Sequence, residues 1–444
     1  MSPRVRCFYR LGWMGCWIIL GLWIGRCGRS QAPAGSGQDR LIYWCATNPQ
    51  ELELARQWVD EWNRGAGMKV DLQPIPAGNS SEEVILAAVA GRTTPDIYSN
   101  HWPGMTEELR LSGHLVCLNE IPGAVETIQK RCGNPILDQF ISPDGRLYQI
   151  PWKVNPIMLM INRQRFRERG VPETMLSYSQ FMQAGAGLTY DQDQDGYKDH
   201  WFGYRNILPL WFQRWFDFYT FYLAASGGKT FFLADGTYRM DLPAAISVFT
   251  LFRDLYRNEY YPKTNFQGQP FIVSRVIATE ITGSWNISTI RHFGAEDLDY
   301  AFLPIPLPDS SPHQDHYTYG DYKNFVIFST CRAPDQAWDF VRFVTSREND
   351  IKLMEITRQT PARQGLLEDS LILDYFNRRP EMIPFARQAQ YTRSINSLPE
   401  IKEIFDAISQ QWEICCIYQR KPPEQAVRDA DRRIRQIIDQ AANP

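Results

Sequence analysis

The chain has 444 residues, 44% of them hydrophobic, enough for one large or two ordinary domains with real cores. Its formal charge of −3 becomes −7 once the four arginines of residues 1–26 are set aside. A mildly acidic chain without a Lys/Arg-rich run speaks against a nucleic-acid partner, because phosphate contacts need a basic face.

Arg4, Arg6 and Arg10 precede the apolar run Leu11–Gly25, which is short for a membrane span and has the form of an export signal. Cys27 stands where a bacterial lipoprotein carries its lipidated cysteine, but Arg26 occupies the place of a small residue. Lipidated and free Cys27 both stand open. Residues 28–38 (GRSQAPAGSGQ) have the composition of a flexible tether. Residues 1–26 are thus expected to be a signal peptide and 27–39 a tether on the extracytoplasmic face. Six cysteines follow Cys27, and export permits disulfides; Cys117 and Cys132 are the natural pair by proximity.

Leu41–Thr47 is a strand-like apolar run, ended by Asn48 as N-cap and Pro49 as first helical residue. Leu54, Trp58 and Trp62 then recur at helical spacing. Met68–Ile75 is a second strand, Ser80 and Glu83 form a capping box for a helix through Ala90, and Pro95–Asn100 is a third strand. Alternating strands and helices predict a parallel α/β sheet, whose ligands gather at the carboxyl ends of the strands. Trp44 and Trp102 lie at such ends, divided evenly between ligand contact and loop packing.

Gly145–Phe166 carries a strand, Arg146–Ile150, broken at Pro151. An exposed-looking insert, Trp152 to Pro156, follows, with Trp152 and Asn155 as candidate ligand contacts. The apolar run Ile157–Ile161 then leads into a charged helix, so the segment is a crossover between two lobes. Tyr178–Leu188 is helical. The loop after it places acids at Asp191, Asp193, Asp195 and Asp199 with Gly196 at the sharp turn, the first nine positions of an EF-hand-type loop with Tyr197 at the seventh. Phe202 stands where that loop has a bidentate Glu. A structural Ca²⁺ is expected, the alternative being an Asp-rich turn held by its own backbone bonds. Leu208–Ala225 is an aromatic-rich helix in which Trp211 and Trp215 are favoured to face the cleft. Leu298–Leu307 is a second crossover, Ser346–Ile356 a third, and Pro422 onward a final amphipathic helix.

Several of these motifs, in order, resemble the extracytoplasmic solute-binding proteins of ABC importers. They are "IPAGNSSEEVILAAVAG", "TPDIYSN", "GRLYQIPWKVNPIMLMINRQRF", "VSRVIATEITGSW" and "TPAR". The nearest likeness is to the carbohydrate family that includes maltose-binding protein. The resemblance implies an α/β, two-lobed periplasmic-binding-protein (Venus flytrap) fold, each lobe a sheet flanked by helices around a ligand cleft. It sets lobe one at residues 40–151 and 303–346 and lobe two at 152–302 and 347–444. It implies a sugar, oligosaccharide or polyol ligand, an ABC permease as partner, a monomer and no catalysis. It adds Asn100 and Trp102, Ser284 and Trp285, Tyr319 and Arg363 as ligand contacts. Ser274 replaces the usual Gly, and Ala278–Thr279 the usual Ala–Met. A secreted glycosidase, with facing carboxylates, and a tethered ligand sensor of the same fold are the alternatives.

Overall fold

The computed structural model describes residues 40–442, apart from positions 79, 209, 234 and 235. The export signal, Cys27 and the tether lie outside the described residues. The strands in chain order are β1 (Arg40–Cys45), β2 (Lys69–Pro74), β3 (Ile97–His101), β4 (Ile150–Val154), β5 (Met158–Asn162) and β6 (Thr279–Thr282). They continue with β7 (Tyr300–Leu303), β8 (Thr318–Tyr319), β9 (Lys323–Ile327), β10 (Thr360–Pro361) and β11 (Thr392–Arg393).

Lobe one is built on a six-stranded sheet of order β10-β4-β9-β3-β1-β2, and lobe two on a three-stranded sheet of order β6-β5-β7. The two-residue side-chain period explains how each strand is used. In β1, Leu41, Tyr43 and Cys45 enter the lobe-one core, while Trp44 turns to the cluster that also fills lobe two. In β5, Met158 and Met160 enter one cluster and Leu159 and Ile161 another. Burial on both faces is why Ile157–Ile161 reads as an unbroken apolar run. The predicted N-caps Asn48 and Ser80 accept from Glu51 N and Glu83 N at 2.9 and 3.2 Å.

The strand expected at 146–150 with an exposed insert beyond Pro151 is instead β4, buried along its whole length between β9 and β10. Pro151 is tolerated there because the β4–β9 register shifts between Pro151 and Lys153, so the interrupted ladder does not need the N–H that proline lacks. Ser346–Ile356, expected as the third crossing, is a helix (Arg347–Thr357) packed against the helix Pro49–Gly65, and β10 then pairs with β4. The expected helix 208–225 begins later. A π-helical turn, Trp215–Tyr219, leads into the α-helix Thr220–Ser226. Of Val273–Trp285 only β6 is strand. Cys117 and Cys132 are not paired: all six described cysteines are free and buried. Arg146 and Asn119 lie by Cys117, whereas Arg131 and the Pro151 carbonyl lie by Cys132.

Candidate functional site

Three chain segments run side by side between the lobes. Ile157 N donates to Tyr319 O at 2.9 Å, Asp321 N to Asn155 O at 3.0 Å, and Gly320 N to Arg393 O at 2.9 Å. Gly320 sits where they converge: a Cβ there would stand 2.8 Å from that of Thr392 and 3.0 Å from Val154 Cγ2. A ribbon this narrow is the part of the molecule able to bend and change the gap between the lobes.

On one side of Tyr319 the ribbon and lobe one carry a buried polar shelf. Glu51, in the first turn of the helix Pro49–Gly65, pairs through Oε1 with Lys153 Nζ, and Gln359 Nε2 donates to the same oxygen at 2.9 Å. Asn155 Nδ2 donates to Gln359 Oε1 at 3.1 Å. Asp321 Oδ1 accepts from Lys323 Nζ at 3.1 Å and from the Tyr319 hydroxyl at 3.2 Å. Burial pushes the Glu51 carboxyl up, but Lys153 and the Gln359 amide hold it below the usual carboxylate range. Burial also lowers the Lys153 ammonium, against the pull of Glu51. Glu51 Oε2 and Asn155 Oδ1 have no hydrogen-bond partner.

On the other side of Tyr319 stand aromatic rings from both lobes. Trp102 stacks on Trp215 with centroids 4.6 Å apart and planes 28° apart, and Trp211 meets Trp215 edge-on at 4.8 Å. Phe405 closes on Trp215 at 6.3 Å, and Lys402 Nζ lies 5.8 Å from the Trp211 ring centre. Lobe two adds Phe216, in edge contact with Trp285 at 6.3 Å. It also adds Arg205, which reaches Gln213 Oε1 at 3.2 Å. Burial pushes the Glu280 carboxyl on β6 up to about 6.

The candidates from sequence divide. Asn155, Tyr319, Ser284 and Trp102 are buried, and Trp211 and Trp285 are partly exposed. Ser284 is fully buried with its hydroxyl unpartnered, and Trp285 stays partly exposed with its ring folded over Gly283. Asn100 is half-buried at the end of β3, and Trp44 is buried with Nε1 donating to Gln73 at 3.2 Å. Trp152 is a correction: 1% exposed, it packs edge-on against Trp58 at 5.9 Å and against Phe325 at 5.1 Å. It is core, with Lys153 Nζ 4.5 Å from its ring centre. Arg363 is a second correction. Its Nε donates to Asp350 Oδ2 at 2.6 Å, and Asp350 also holds Arg131, which donates to the Pro151, Trp152 and Ala362 carbonyls. That clasp fixes β4 and the 360–363 loop, leaving Arg363 engaged in structure. Sequence reasoning missed Glu51, Lys153, Asp321, Lys323 and Gln359. The signal was Lys153, a charge between Trp152 and Val154, which only a buried partner permits.

A cavity of about 1270 Å³ lies along the ribbon flank formed by Arg393–Leu398, between residues 138–149 and 228–243. None of the predicted ligand residues lines it.

In the acidic loop, one oxygen from each of Asp191, Asp193 and Asp195 lies within 4.8 Å of the others. Gly196 has φ 95°, and its N–H donates to Asp191 Oδ2 at 2.8 Å. Asp199 Oδ2 turns inward to the Gln192 N–H at 2.6 Å, and Tyr197 is exposed. Phe202, at the twelfth position, is fully buried and offers no oxygen.

A family model described as bacterial extracellular solute-binding protein matches residues 57–381. Among solved structures, an uncharacterised protein of Listeria monocytogenes EGD-e superposes with a TM-score of 0.77 at 23% identity, covering 89% of this chain and 98% of its own. The cyclic alpha-maltosyl-1,6-maltose binding protein of Arthrobacter globiformis gives 0.75 at 16% identity, over 90% and 99%. The maltose/maltodextrin-binding domain MalE of Bdellovibrio bacteriovorus, bound to maltotriose, gives 0.70 at 17%, over 90% and 100%. These likenesses carry the two-lobed fold, and the family match covers most of the chain: it belongs to the bacterial extracellular solute-binding protein family.

Proposed function

We propose that the protein is the extracytoplasmic binding component of an ABC importer, which takes a sugar or sugar-like solute between its lobes and hands it to a membrane permease. The observation that carries this is the pairing of a charged, hydrogen-bonding shelf with aromatic rings across a narrow ribbon. Sugars present apolar ring faces and a rim of hydroxyls, and such surfaces match both halves. Glu51 Oε2, Asn155 Oδ1, Ser284 Oγ and Trp215 Nε1 are buried without hydrogen-bond partners. Each such buried group costs about 1–3 kcal/mol. A hydroxyl-rich ligand supplies both donors and acceptors, so it stabilises the closed form over an empty one. Two similar structures point the same way, since their proteins bind a cyclic maltosyl-maltose and maltotriose.

The finer elements belong to the same reading: export by residues 1–26, a tether at 27–39 with Cys27 as a lipid site, and action as a monomer. The acidic loop fits a weak Ca²⁺ site. Asp191, Asp193 and Asp195 would hold the ion, with the Tyr197 carbonyl at the seventh position, and the ion would stiffen lobe two.

The glycosidase alternative rests on Glu280, whose carboxyl at about 6 lies in a general acid's range. Against it, Glu51 and Asp321 are each engaged by a lysine. A thermal-shift screen across mono- and oligosaccharides, polyols and glycerol phosphoesters tests the proposal. A saccharide that raises the melting temperature dose-dependently supports it, and a flat response to every compound rejects it.

A further inference from the structure

We propose that the cavity on the Arg393 edge of the ribbon is a second binding site, built for an anionic saccharide such as a uronate or a sugar phosphate. It goes beyond the reading above, because no residue of the shelf or of the ring cluster lines it. Asn155 and Ile157 bond one edge of the segment 318–321, and Arg393 bonds the other through Gly320. The shelf gathers on the Asn155 edge and the cavity on the Arg393 edge.

Small-molecule sites commonly hold about 300–1,000 Å³. At about 1270 Å³ this cavity has room for more than one sugar unit. Its floor is fastened to both walls. Gln139 Oε1 accepts from Ser394 N at 2.8 Å, and the Tyr219 hydroxyl donates to Ser394 O at 3.0 Å. Ser397 Oγ accepts from Glu107 N at 2.9 Å and donates to Gly104 O at 3.4 Å. A ligand would meet a floor already in place. Along that floor Glu107 Oε1, Ser394 Oγ and Asn396 Oδ1 are buried without a hydrogen-bond partner, Glu107 being 4% exposed and Ser394 5%. Buried acceptors of this kind are satisfied by a ligand that brings donors, and hydroxyl groups are such donors.

The charges that line the cavity do not cancel in place. Lys229 pairs with Asp241 at 3.0 Å, and Glu107 with Arg110 at 2.7 Å. Asp138 remains on the lobe-one wall, against Arg239 on the lobe-two wall and Arg393 on the floor. Among the described residues no carboxylate forms an ion pair with either arginine. The Arg393 guanidinium is steadied 4.5 Å over the Tyr317 ring and donates to Thr392 O at 2.9 Å, which leaves its other N–H groups for a ligand. A guanidinium fork matches a carboxylate or a phosphate. A neutral sugar would satisfy the acceptors and leave the arginines unmatched. A bare anion would do the reverse. A saccharide carrying one anionic group satisfies both, its hydroxyls on Glu107, Ser394 and Asn396 and its anion on Arg393 and Arg239.

The test is calorimetric titration of the intact protein with trigalacturonate, glucose 6-phosphate and inorganic phosphate, each with and without an excess of maltotriose. Trigalacturonate or glucose 6-phosphate is expected to give a saturable isotherm that maltotriose leaves in place, and inorganic phosphate to bind about tenfold more weakly or worse. The tighter of the two sugars names the anion. Arg393→Gln and Arg239→Gln should each weaken that sugar by about tenfold, the worth of a charge-assisted hydrogen bond. Arg239 is exposed, so its variant keeps the test open if Arg393→Gln does not fold. Four results overturn the site: no binding of either sugar below about 10 mM, inorganic phosphate binding as tightly as the sugars, competitive displacement by maltotriose, or unchanged affinity in the folded variants. Should maltotriose itself not bind, the solute reading fails, while the titrations without it still decide this site.

Discussion

Replacing Asp350 by Asn removes the anion from a site that its two arginines cannot leave. Asp350 is fully buried, and Arg131, 7% exposed, donates to it at 2.8 and 3.2 Å while also holding three backbone carbonyls. Arg363 adds a third bond at 2.6 Å. Taking one partner from a buried ion pair costs about 3–5 kcal/mol, because the remaining charge is stranded away from water. An unfolding entropy of about 2 cal/mol/K per residue over roughly 400 residues converts that loss to a fall of about 4–6 °C in melting temperature. Scanning calorimetry on wild type and Asp350→Asn reads it directly. Arg363→Ala should also lower the melting temperature, since it loses the Asp350 bond and one to Thr345 O at 3.2 Å, yet leave saccharide affinity as it was. A shift under about 1 °C for Asp350→Asn would refute the clasp. So would an Arg363→Ala protein that melts normally and binds poorly, because Arg363 would then be a ligand contact after all.

The two tryptophans of opposite fate make a matched pair. Trp285→Ala should weaken maltotriose binding about fivefold, on the order of 1 kcal/mol of stacking, with the melting temperature nearly kept. Trp152→Ala should cost about 3–5 kcal/mol of stability in urea titration and leave the affinity of the folded fraction unchanged. His101 is buried against Thr106 at 2.8 Å, and burial, then Lys323, pushes its pKa down to about 3. The unfolded imidazole protonates near 6.5 and the folded one does not, so stability is whole above about pH 6.5 and drains toward pH 3, by about 4–5 kcal/mol in all. Urea midpoints from pH 7 to 4 should fall steeply in wild type and much less in His101→Gln. Ca²⁺ at a hundred times its dissociation constant should stabilise the protein by about 2.7 kcal/mol, and EDTA should reverse it. An Asp193→Asn, Asp195→Asn double variant that answers Ca²⁺ as wild type does would remove the ion from the acidic loop.

The first lobe was legible because its signals are local. Asn48 and Ser80 announce helix starts within three residues, and β1 alternates across one face. β4 was misread because what makes it a strand lies far away. Lys153 between two prolines looks solvent-seeking, and its partner Glu51 stands 102 positions earlier. Arg363 failed for the same reason: nothing in "TPAR" says that Asp350, on the preceding helix, claims the guanidinium. Trp102 was read at a strand end, divided between ligand contact and loop packing, and no sequence pattern reveals that Trp215 covers its face. Ion pairs and ring stacks between distant segments carry no period, and these were the parts that stayed hidden.

The central claim is that a saccharide binds between the lobes and leaves unchanged. Calorimetric titration of the purified protein with maltotriose, followed by chromatography of the recovered sugar, tests it most directly. A saturable one-to-one isotherm and intact maltotriose are expected. Absence of heat with maltotriose and with every saccharide found by the thermal screen would contradict binding, and maltose or glucose in the recovered fraction would make the protein a glycosidase.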